Sequence, residues 1–126
     1  MKTEIYSNNA PKPIGPYSQA IKHGNMIFIS GQIAMDYQNN NVINDNIAEE
    51  TETVMKNIMS ILKESGCNFQ NIVKCSIFLS DMNLFDEVNK IYSKYFSHPF
   101  PARETVEVSK LPKNVNVEIS AIAITK

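Results

Sequence analysis

Two segments with helical periodicity, in a chain otherwise patterned as strands, most constrain what this sequence can fold into. In the first segment, apolar residues recur at helical spacing from Ile47 to Leu62. Asn46 is placed to cap its start, with Glu49 three residues on, and Gly66 to end it. The pattern predicts one long amphipathic helix between Asn46 and Gly66.

A second helix is predicted from about Asn83, with its apolar face running from Leu84 to Phe96. The proline-rich run at 98–101 ends it. The remaining apolar stretches are rich in β-branched residues and are predicted strands: 18–22, 26–33, 72–79, 104–109 and 115–124. This order predicts a single α+β domain over residues 1–126, in which two helices pack on one face of one mixed β-sheet.

Two helices leave the other face of such a sheet uncovered, yet several strands carry apolar residues on both faces. Met26 and Phe28 alternate with Ile27 and Ile29, and the last strand shows the same pattern. Large exposed apolar patches are rare on monomers, so the pattern predicts self-association.

Composition excludes several classes of protein. A formal net charge of -1 and a pI near 6.1 argue against a general nucleic-acid binder, and no run is long enough to span a bilayer. Two cysteines, Cys67 and Cys75, are too few for a disulfide framework, and this fits a cytoplasmic protein. The Cys75 side chain is predicted to be buried and the Cys67 side chain to be partly exposed. His23 and His98 have no metal-ligand spacing with the cysteines or each other, so no metal site is predicted.

Arg103 is the single arginine beside eleven lysines, and it follows Phe100-Pro101-Ala102 at the mouth of a predicted strand. A guanidinium presents a planar fork that grips a carboxylate with two parallel hydrogen bonds, which a lysine ammonium cannot do. Proline fixes the backbone just before it. Arg103 is therefore a candidate anion-binding residue, the alternative being an isolated charge on a solvated face.

Glu118 lies in an alternating strand, where alternation places Val117 and Ile119 toward the helices and Glu118 on the opposite, interface face. Partial burial would raise its pKa toward that of an acid–base group, whereas a nearby Arg103 would lower it. Taken alone, the position favours an ion-paired structural glutamate over a catalytic acid.

Four further residues each allow a structural and a functional interpretation. At Ser30-Gly31 the glycine permits close backbone approach to a ligand, but a β-bulge or strand end is the favoured interpretation. Tyr17 is either an exposed turn residue or a ligand-facing phenol. Asn89, within the second helix, either bonds across to a loop or faces water.

The chain resembles the reactive-intermediate deaminase family, RidA or YjgF, along essentially its whole length. The matching stretches, in order, are Ala10-Pro11-Lys12-Pro13-Ile14-Gly15-Pro16-Tyr17-Ser18-Gln19-Ala20, Ile29-Ser30-Gly31-Gln32-Ile33, the segment 73–82, Phe100-Pro101-Ala102-Arg103, Val106-Glu107-Val108, Leu111-Pro112-Lys113 and Val117-Glu118-Ile119. The resemblance implies a chorismate-mutase-like fold, assembled as a homotrimer with ligand sites between subunits. It also implies cofactor-free hydrolysis of small 2-iminoacids, such as 2-iminobutanoate and 2-iminopropanoate, to 2-oxoacids and ammonia.

The resemblance further implies roles for individual residues. Arg103 matches the clamp for the substrate carboxylate, and Glu118 matches the acidic residue that positions or activates water and manages the proton on nitrogen. The residues that match positions around the family's ligand pocket are Tyr17, Ser30, Gly31 and Asn89.

The chain also departs from the family pattern. Thr105, which we expect to contact substrate, stands where many members have cysteine, so a mechanism that needs that thiol is excluded. Glu104 replaces a commoner small residue, and alternation predicts that it points away from the Arg103 side of the strand. Ser120 replaces a second acid, which leaves Glu118 as the one candidate acid–base group on that strand.

Two functions from other classes remain open. The same pocket could serve a non-catalytic trimer that binds small carboxylates, although pure carboxylate binding gains nothing from an adjacent acid. A ribonuclease or translation-inhibitor role, assigned to some relatives, would need phosphate-binding cations around acid–base groups, and the single arginine and scattered histidines give it little support.

Overall fold

The computed structural model describes all 126 residues, folded around one six-stranded sheet. The elements in chain order are β1 Thr3–Ile5, β2 Ala20–His23, β3 Met26–Gln32, α1 Ile47–Glu64, β4 Ile72–Leu79, α2 Phe85–Tyr92, β5 Ala102–Glu107 and β6 Val117–Ile124. In space the strands run β1-β2-β3-β6-β4-β5. Only β4 and β5 are parallel, joined by the crossover through α2, so the sheet is mixed as predicted.

Helix α1 begins and ends at the residues that the sequence indicates. The Asn46 side chain accepts a hydrogen bond from the Glu49 backbone N–H at 2.8 Å. At the other end Gly66 adopts a φ of +74°, a left-handed conformation that favours glycine. Between these caps the apolar stripe of α1 is buried against the sheet, which confirms the predicted helix.

Both helices cover the same side of the sheet, here called the helix face. Residues of β6 alternate between buried and partly buried along the whole strand, and Val117 and Ile119 are fully buried beneath the helices. The opposite side, the open face, exposes large apolar side chains: Met26, Phe28, Val73 and Val106. The predicted arrangement of two helices on one face of a mixed sheet is confirmed.

Several local predictions were wrong. Strand β1 was missed, because a three-residue strand is too short for alternation to be diagnostic. Helix α2 ends at Tyr92 instead of Phe96; a 3₁₀ turn, Ser93–Tyr95, follows it. Cys67, expected to be partly exposed, is buried. None of the helices has the length and apolar character needed to cross a bilayer.

Candidate functional site

Arg103 is the second residue of β5, and its side chain projects onto the helix face of the sheet. Strand pairing sets it beside Cys75 of β4, whose side chain is buried beneath the helices. The predicted position at the mouth of a strand is therefore confirmed, and the strand carries the guanidinium toward α2.

One face of α2 holds that guanidinium. Arg103 Nη1 donates a hydrogen bond of 2.7 Å to Asn89 Oδ1. The guanidinium carbon lies 5.0 Å from the ring centre of Tyr92 and 5.6 Å from that of Phe85, within the range of cation–π attraction. Because these three residues are spaced by four and three along the helix, they share one face of α2.

The guanidinium has no carboxylate partner within the chain. The two salt bridges of the chain join Lys74 to Glu104 and Lys94 to Glu52. An arginine side chain offers five N–H donors, and its one side-chain hydrogen bond goes to Asn89. The remaining donors are therefore available to an external anion.

Beside Arg103 opens a recess of about 290 Å³, here called the arginine recess. It is lined by Asn89, Tyr92, Ser93, Phe100, Pro101 and Arg103. The Ser93 hydroxyl donates a hydrogen bond to the backbone carbonyl of Lys90. The recess thus combines one unpaired cation with walls that are largely aromatic and aliphatic.

Glu118 lies on the open face, opposite Phe78 of β4. Its side chain makes neither a hydrogen bond nor an ion pair in the chain, so the ion-paired structural interpretation is wrong for the single subunit. Partial burial raises the pKa of its carboxyl above the ordinary value of 4.5, because the charged form loses solvation. An acid with a raised pKa and free oxygens is suited to proton transfer.

A β-bulge at Ser30 and Gly31 presses the backbone against Glu118. Between the pairs Ile29–Ala121 and Gln32–Ile119, two residues of β3 oppose one residue of β6. A Cβ atom at Gly31 would lie 2.7 Å from the carboxyl carbon of Glu118, so a side chain there would displace the Glu118 carboxylate. The favoured bulge is confirmed, and it also provides the close approach considered as its alternative.

Ser30 and Tyr17 are both tied to the backbone near this bulge. The Ser30 hydroxyl donates a 2.6 Å hydrogen bond to the carbonyl of Ser18. Tyr17 is exposed, and its phenolic oxygen accepts from the Ile14 N–H at 3.2 Å. Tyr17 and Gly31 line one small cavity. We call Glu118, Gly31, Ser30 and Tyr17 together the glutamate surface.

The arginine recess and the glutamate surface do not meet within one chain. Arg103 is directed to the helix face and Glu118 to the open face, with the sheet between them. Arg103 is not near Glu118 within one chain, and burial raises the pKa of the Glu118 carboxyl there. A site that uses both side chains needs two copies of the chain.

The two residues near Arg103 that depart from the family pattern, Glu104 and Thr105, have different surroundings. Glu104 is on the open face, as predicted, where it pairs with Lys74 at 3.2 Å and accepts a short hydrogen bond from Ser76. That hydrogen bond, followed by Lys74, lowers the pKa of the exposed Glu104 carboxyl. The Thr105 hydroxyl is buried without a partner and does not line the arginine recess, so its contact with substrate stays a prediction.

Sequence reasoning missed Tyr92 and Phe85 as partners of the arginine, since both were assigned only to the apolar face of α2. The available signal was their spacing from Asn89, which put a polar residue between two aromatic ones on one helical face. A larger cavity, about 540 Å³, lies elsewhere, between Phe69, Tyr95 and the chain around His98, and neither Arg103 nor Glu118 lines it. Histidine, cysteine and carboxylate side chains nowhere gather in a metal-binding group.

Comparison with known proteins places the chain in a family. The sequence profile of the family described as Endoribonuclease L-PSP matches residues 7–125. The chain belongs to this family, also called RidA or YjgF. It is 48% identical over 123 residues to a RutC family protein of Pyrococcus horikoshii, which covers 98% of both chains.

Two further RidA-family relatives are informative. The 2-iminobutanoate/2-iminopropanoate deaminase of Homo sapiens is 46% identical over 120 residues, covering 95% of this chain and 88% of the human one. The crystal structure of TdcF of E. coli with bound serine superimposes with a TM-score of 0.93 at 32% identity, covering 98% of this chain and 99% of TdcF. The resemblance inferred from the sequence motifs is confirmed.

Proposed function

We propose that this protein hydrolyses reactive 2-iminoacids, such as 2-iminobutanoate and 2-iminopropanoate, to 2-oxoacids and ammonia. The observation that carries the proposal is the held but unpaired guanidinium of Arg103, in a chain that also presents a partly buried, unpaired Glu118. The human relative named for this activity supports it. The free, buried cysteines fit a cytoplasmic location.

We further propose a homotrimer of chorismate-mutase-like subunits, in which the arginine recess of one copy faces the glutamate surface of the next. The exposed apolar side chains of the open face give these copies a surface to bury. A closed ring of three copies would then hold three equivalent sites, each built from two chains.

In the proposed reaction the substrate carboxylate forms two parallel hydrogen bonds with Arg103, which fixes the electrophilic carbon C2. Ionised Glu118 accepts a proton from water as the water oxygen bonds to C2 of the protonated imine and the C=N π pair moves to nitrogen, giving a neutral carbinolamine. Protonated Glu118 then gives this proton to the amino nitrogen. The C–N bond breaks as ammonia leaves, and Glu118 accepts the hydroxyl proton as the carbonyl of the 2-oxoacid forms; that proton passes to ammonia. A positioned acid–base group contributes roughly 100- to 10,000-fold, enough for imines that already hydrolyse in water.

A carboxylate-binding module without catalysis is the second candidate, favoured by one observation. The Arg103 contacts alone would bind a small carboxylate, and TdcF holds the amino acid serine. Binding alone leaves Glu118 without a role, so hydrolysis that depends on Glu118 separates the two candidates.

The proposal is tested by mixing two inactive chains. Differently tagged Arg103→Ala and Glu118→Gln chains are co-expressed in equal amounts, and hydrolysis of imines generated in situ by an amino-acid oxidase is measured. If each site takes Arg103 from one copy and Glu118 from another, random assembly restores about a quarter of the wild-type activity, whatever the size of the closed ring.

Each variant expressed alone, shown by light scattering to keep the wild-type assembly, is the control. Activity of the wild type with no recovery in the mixture would mean that both residues act from one chain, contrary to the proposed assembly. No acceleration by the wild type would reject the deaminase.

A further inference from the structure

Helix α1 carries two buried polar side chains that bind backbone groups outside the helix. Glu50 is fully buried, and Asn57 is 4% exposed. They are seven positions apart, about two turns of an α-helix, so both side chains leave the same side of α1. Burying a carboxylate or an amide is costly unless hydrogen bonds satisfy it, so what these two groups bind is informative.

Glu50 binds the start of β6. Its Oε2 accepts hydrogen bonds from the backbone N–H groups of Asn116 at 2.7 Å and Val117 at 3.2 Å, and its Oε1 accepts one from the Asn116 side-chain amide at 2.8 Å. Neither salt bridge of the chain includes Glu50. The buried carboxylate is therefore satisfied by N–H donors of the two residues directly before Glu118.

Asn57 binds the chain that follows β3. Its side-chain amide donates hydrogen bonds to the backbone carbonyls of Ile33 and Met35, each at 3.2 Å. This stretch directly follows the strand whose bulge at Gly31 packs against the Glu118 carboxylate. One helix thus binds both segments that frame the acid.

These contacts lie where β3 and β6 no longer hold each other. The last residue pair between the two strands is Gln32–Ile119, and the start of β6 lies beyond it. The turn before β6 is strained, because Lys113 and Asn114 have φ angles of 58° and 56°, left-handed values that are rare outside glycine. Such a turn persists only where surrounding contacts hold it, and Glu50 provides three of them.

We propose that Glu50 and Asn57 are positioning residues for the acid. Through them α1 fixes the start of β6 and the chain after β3, and thereby the Glu118 carboxylate against the bulge at Gly31. The inference rests on the proposed function, in which Glu118 transfers the proton. Neither residue touches the substrate, so their effect reaches the reaction only through Glu118.

The test separates turnover from binding. Glu50→Ala frees the start of β6, so kcat for imine hydrolysis should fall roughly 10- to 100-fold, since about 1 Å of misplacement can cost roughly 100-fold. Affinity for the matching 2-oxoacid, measured calorimetrically, should stay within about 2-fold of wild type, because the contacts of Arg103 on α2 are untouched. Asn57→Ala should show the same split, and it decides alone if Glu50→Ala does not fold.

Glu50→Gln is the conservative variant and should restore kcat to within about 3-fold of wild type, because an amide both accepts and donates. Its oxygen can accept from the two backbone N–H groups that Glu50 binds. Its NH₂ group can donate to Asn116 Oδ1 once the Asn116 amide turns over, and the turned amide then donates to the Ser80 hydroxyl, its present partner at 3.1 Å.

Ile61→Ala is the matched control, since Ile61 is a buried residue of α1 whose side chain packs in the core. It should lower the temperature of thermal unfolding while keeping kcat within about 2-fold of wild type. Light scattering checks that each variant keeps the wild-type assembly.

The outcomes separate failure of the inference from failure of the function. If the wild type hydrolyses imines and Glu50→Ala and Asn57→Ala lose no more kcat than Ile61→Ala, the positioning role is overturned and the deaminase stands. An equal loss of kcat and of 2-oxoacid affinity, or a Glu50→Gln variant as slow as Glu50→Ala, also overturns it. No hydrolysis by the wild type overturns the proposed function, and the positioning role with it.

Discussion

The arginine recess and the glutamate surface lie on opposite faces of one sheet and are held in different ways. The guanidinium is fixed by side chains, through a hydrogen bond to Asn89 and the rings of Tyr92 and Phe85. Glu118 has no side-chain partner, and backbone shape confines it, because the bulge at Gly31 packs against its carboxylate. The cation is thus held in one orientation, whereas the acid keeps both carboxylate oxygens without a partner.

The largest expected effect removes the cation. Arg103→Ala should lower kcat/KM for imine hydrolysis by roughly 1,000-fold, since the substrate carboxylate loses its orientation. Arg103→Lys should still lose roughly 100-fold, because an ammonium cannot form the planar fork. Steady-state assays check both, with Lys90→Ala as control, since Lys90 is an exposed cation on α2, the helix that holds the guanidinium. Near-normal turnover by the alanine variant would contradict the assigned clamp.

Gly31→Ala tests the backbone support of the acid. A Cβ atom there overlaps the Glu118 carboxylate, so we expect kcat to fall roughly 100-fold, the effect of about 1 Å of misplacement, while 2-oxoacid binding at Arg103 changes little. Gly15→Ala is the control, since its Cβ meets only ordinary contacts at 3.5 Å from the Tyr17 ring. An equal loss in both variants would point to general destabilisation.

Asn89→Ala should have a smaller effect, roughly a 10-fold increase in KM, because one hydrogen bond to a charged group is lost while both aromatic rings still hold Arg103. Asn89→Asp sharpens the comparison. It places a carboxylate against Arg103 Nη1, which competes with the substrate, so its KM should exceed that of the alanine variant. The reverse order would show that Asn89 contacts the substrate itself.

The smallest expected effect is on how the stability of the folded protein depends on pH. Because the pKa of Glu118 is raised on folding, the protonated acid is favoured in the folded chain; this contribution is fully present below about pH 4.5 and is lost as the pH rises through the raised pKa. Thermal unfolding should therefore show Glu118→Gln gaining stability relative to wild type as the pH rises from about 4 to about 8. A pH-independent difference would mean that Glu118 is not desolvated in the assembled protein.

The sequence predicted most of the fold, for identifiable reasons. Helix α1 carries a full amphipathic stripe with caps at both ends, and β4 is rich in β-branched and apolar residues, so the bounds of both were predicted closely. Strand β1 and the end of α2 were not, because a three-residue strand has no readable period and a 3₁₀ turn continues the helical spacing.

For the candidate site, the sequence identified the chemistry of single residues. A lone guanidinium after a proline and an acid in an alternating strand were both recognised from residue type and position. Which partners they have was not predictable, since the Asn89–Arg103 and Gly31–Glu118 contacts join residues 14 and 87 positions apart. Such contacts depend on how α2 crosses the sheet and where β3 bulges.

By itself, the sequence determined the helix and strand pattern, the two candidate residues and the family, because these depend on local periodicity and on residue identity. Only the tertiary structure decided that Arg103 and Glu118 face opposite sides of the sheet. The physical reason is that side chains alternate along each strand, so the pairing of β4 with β5 and β6 sets which face each residue occupies. That separation is why the proposed site, which uses both residues, includes a second copy of the chain.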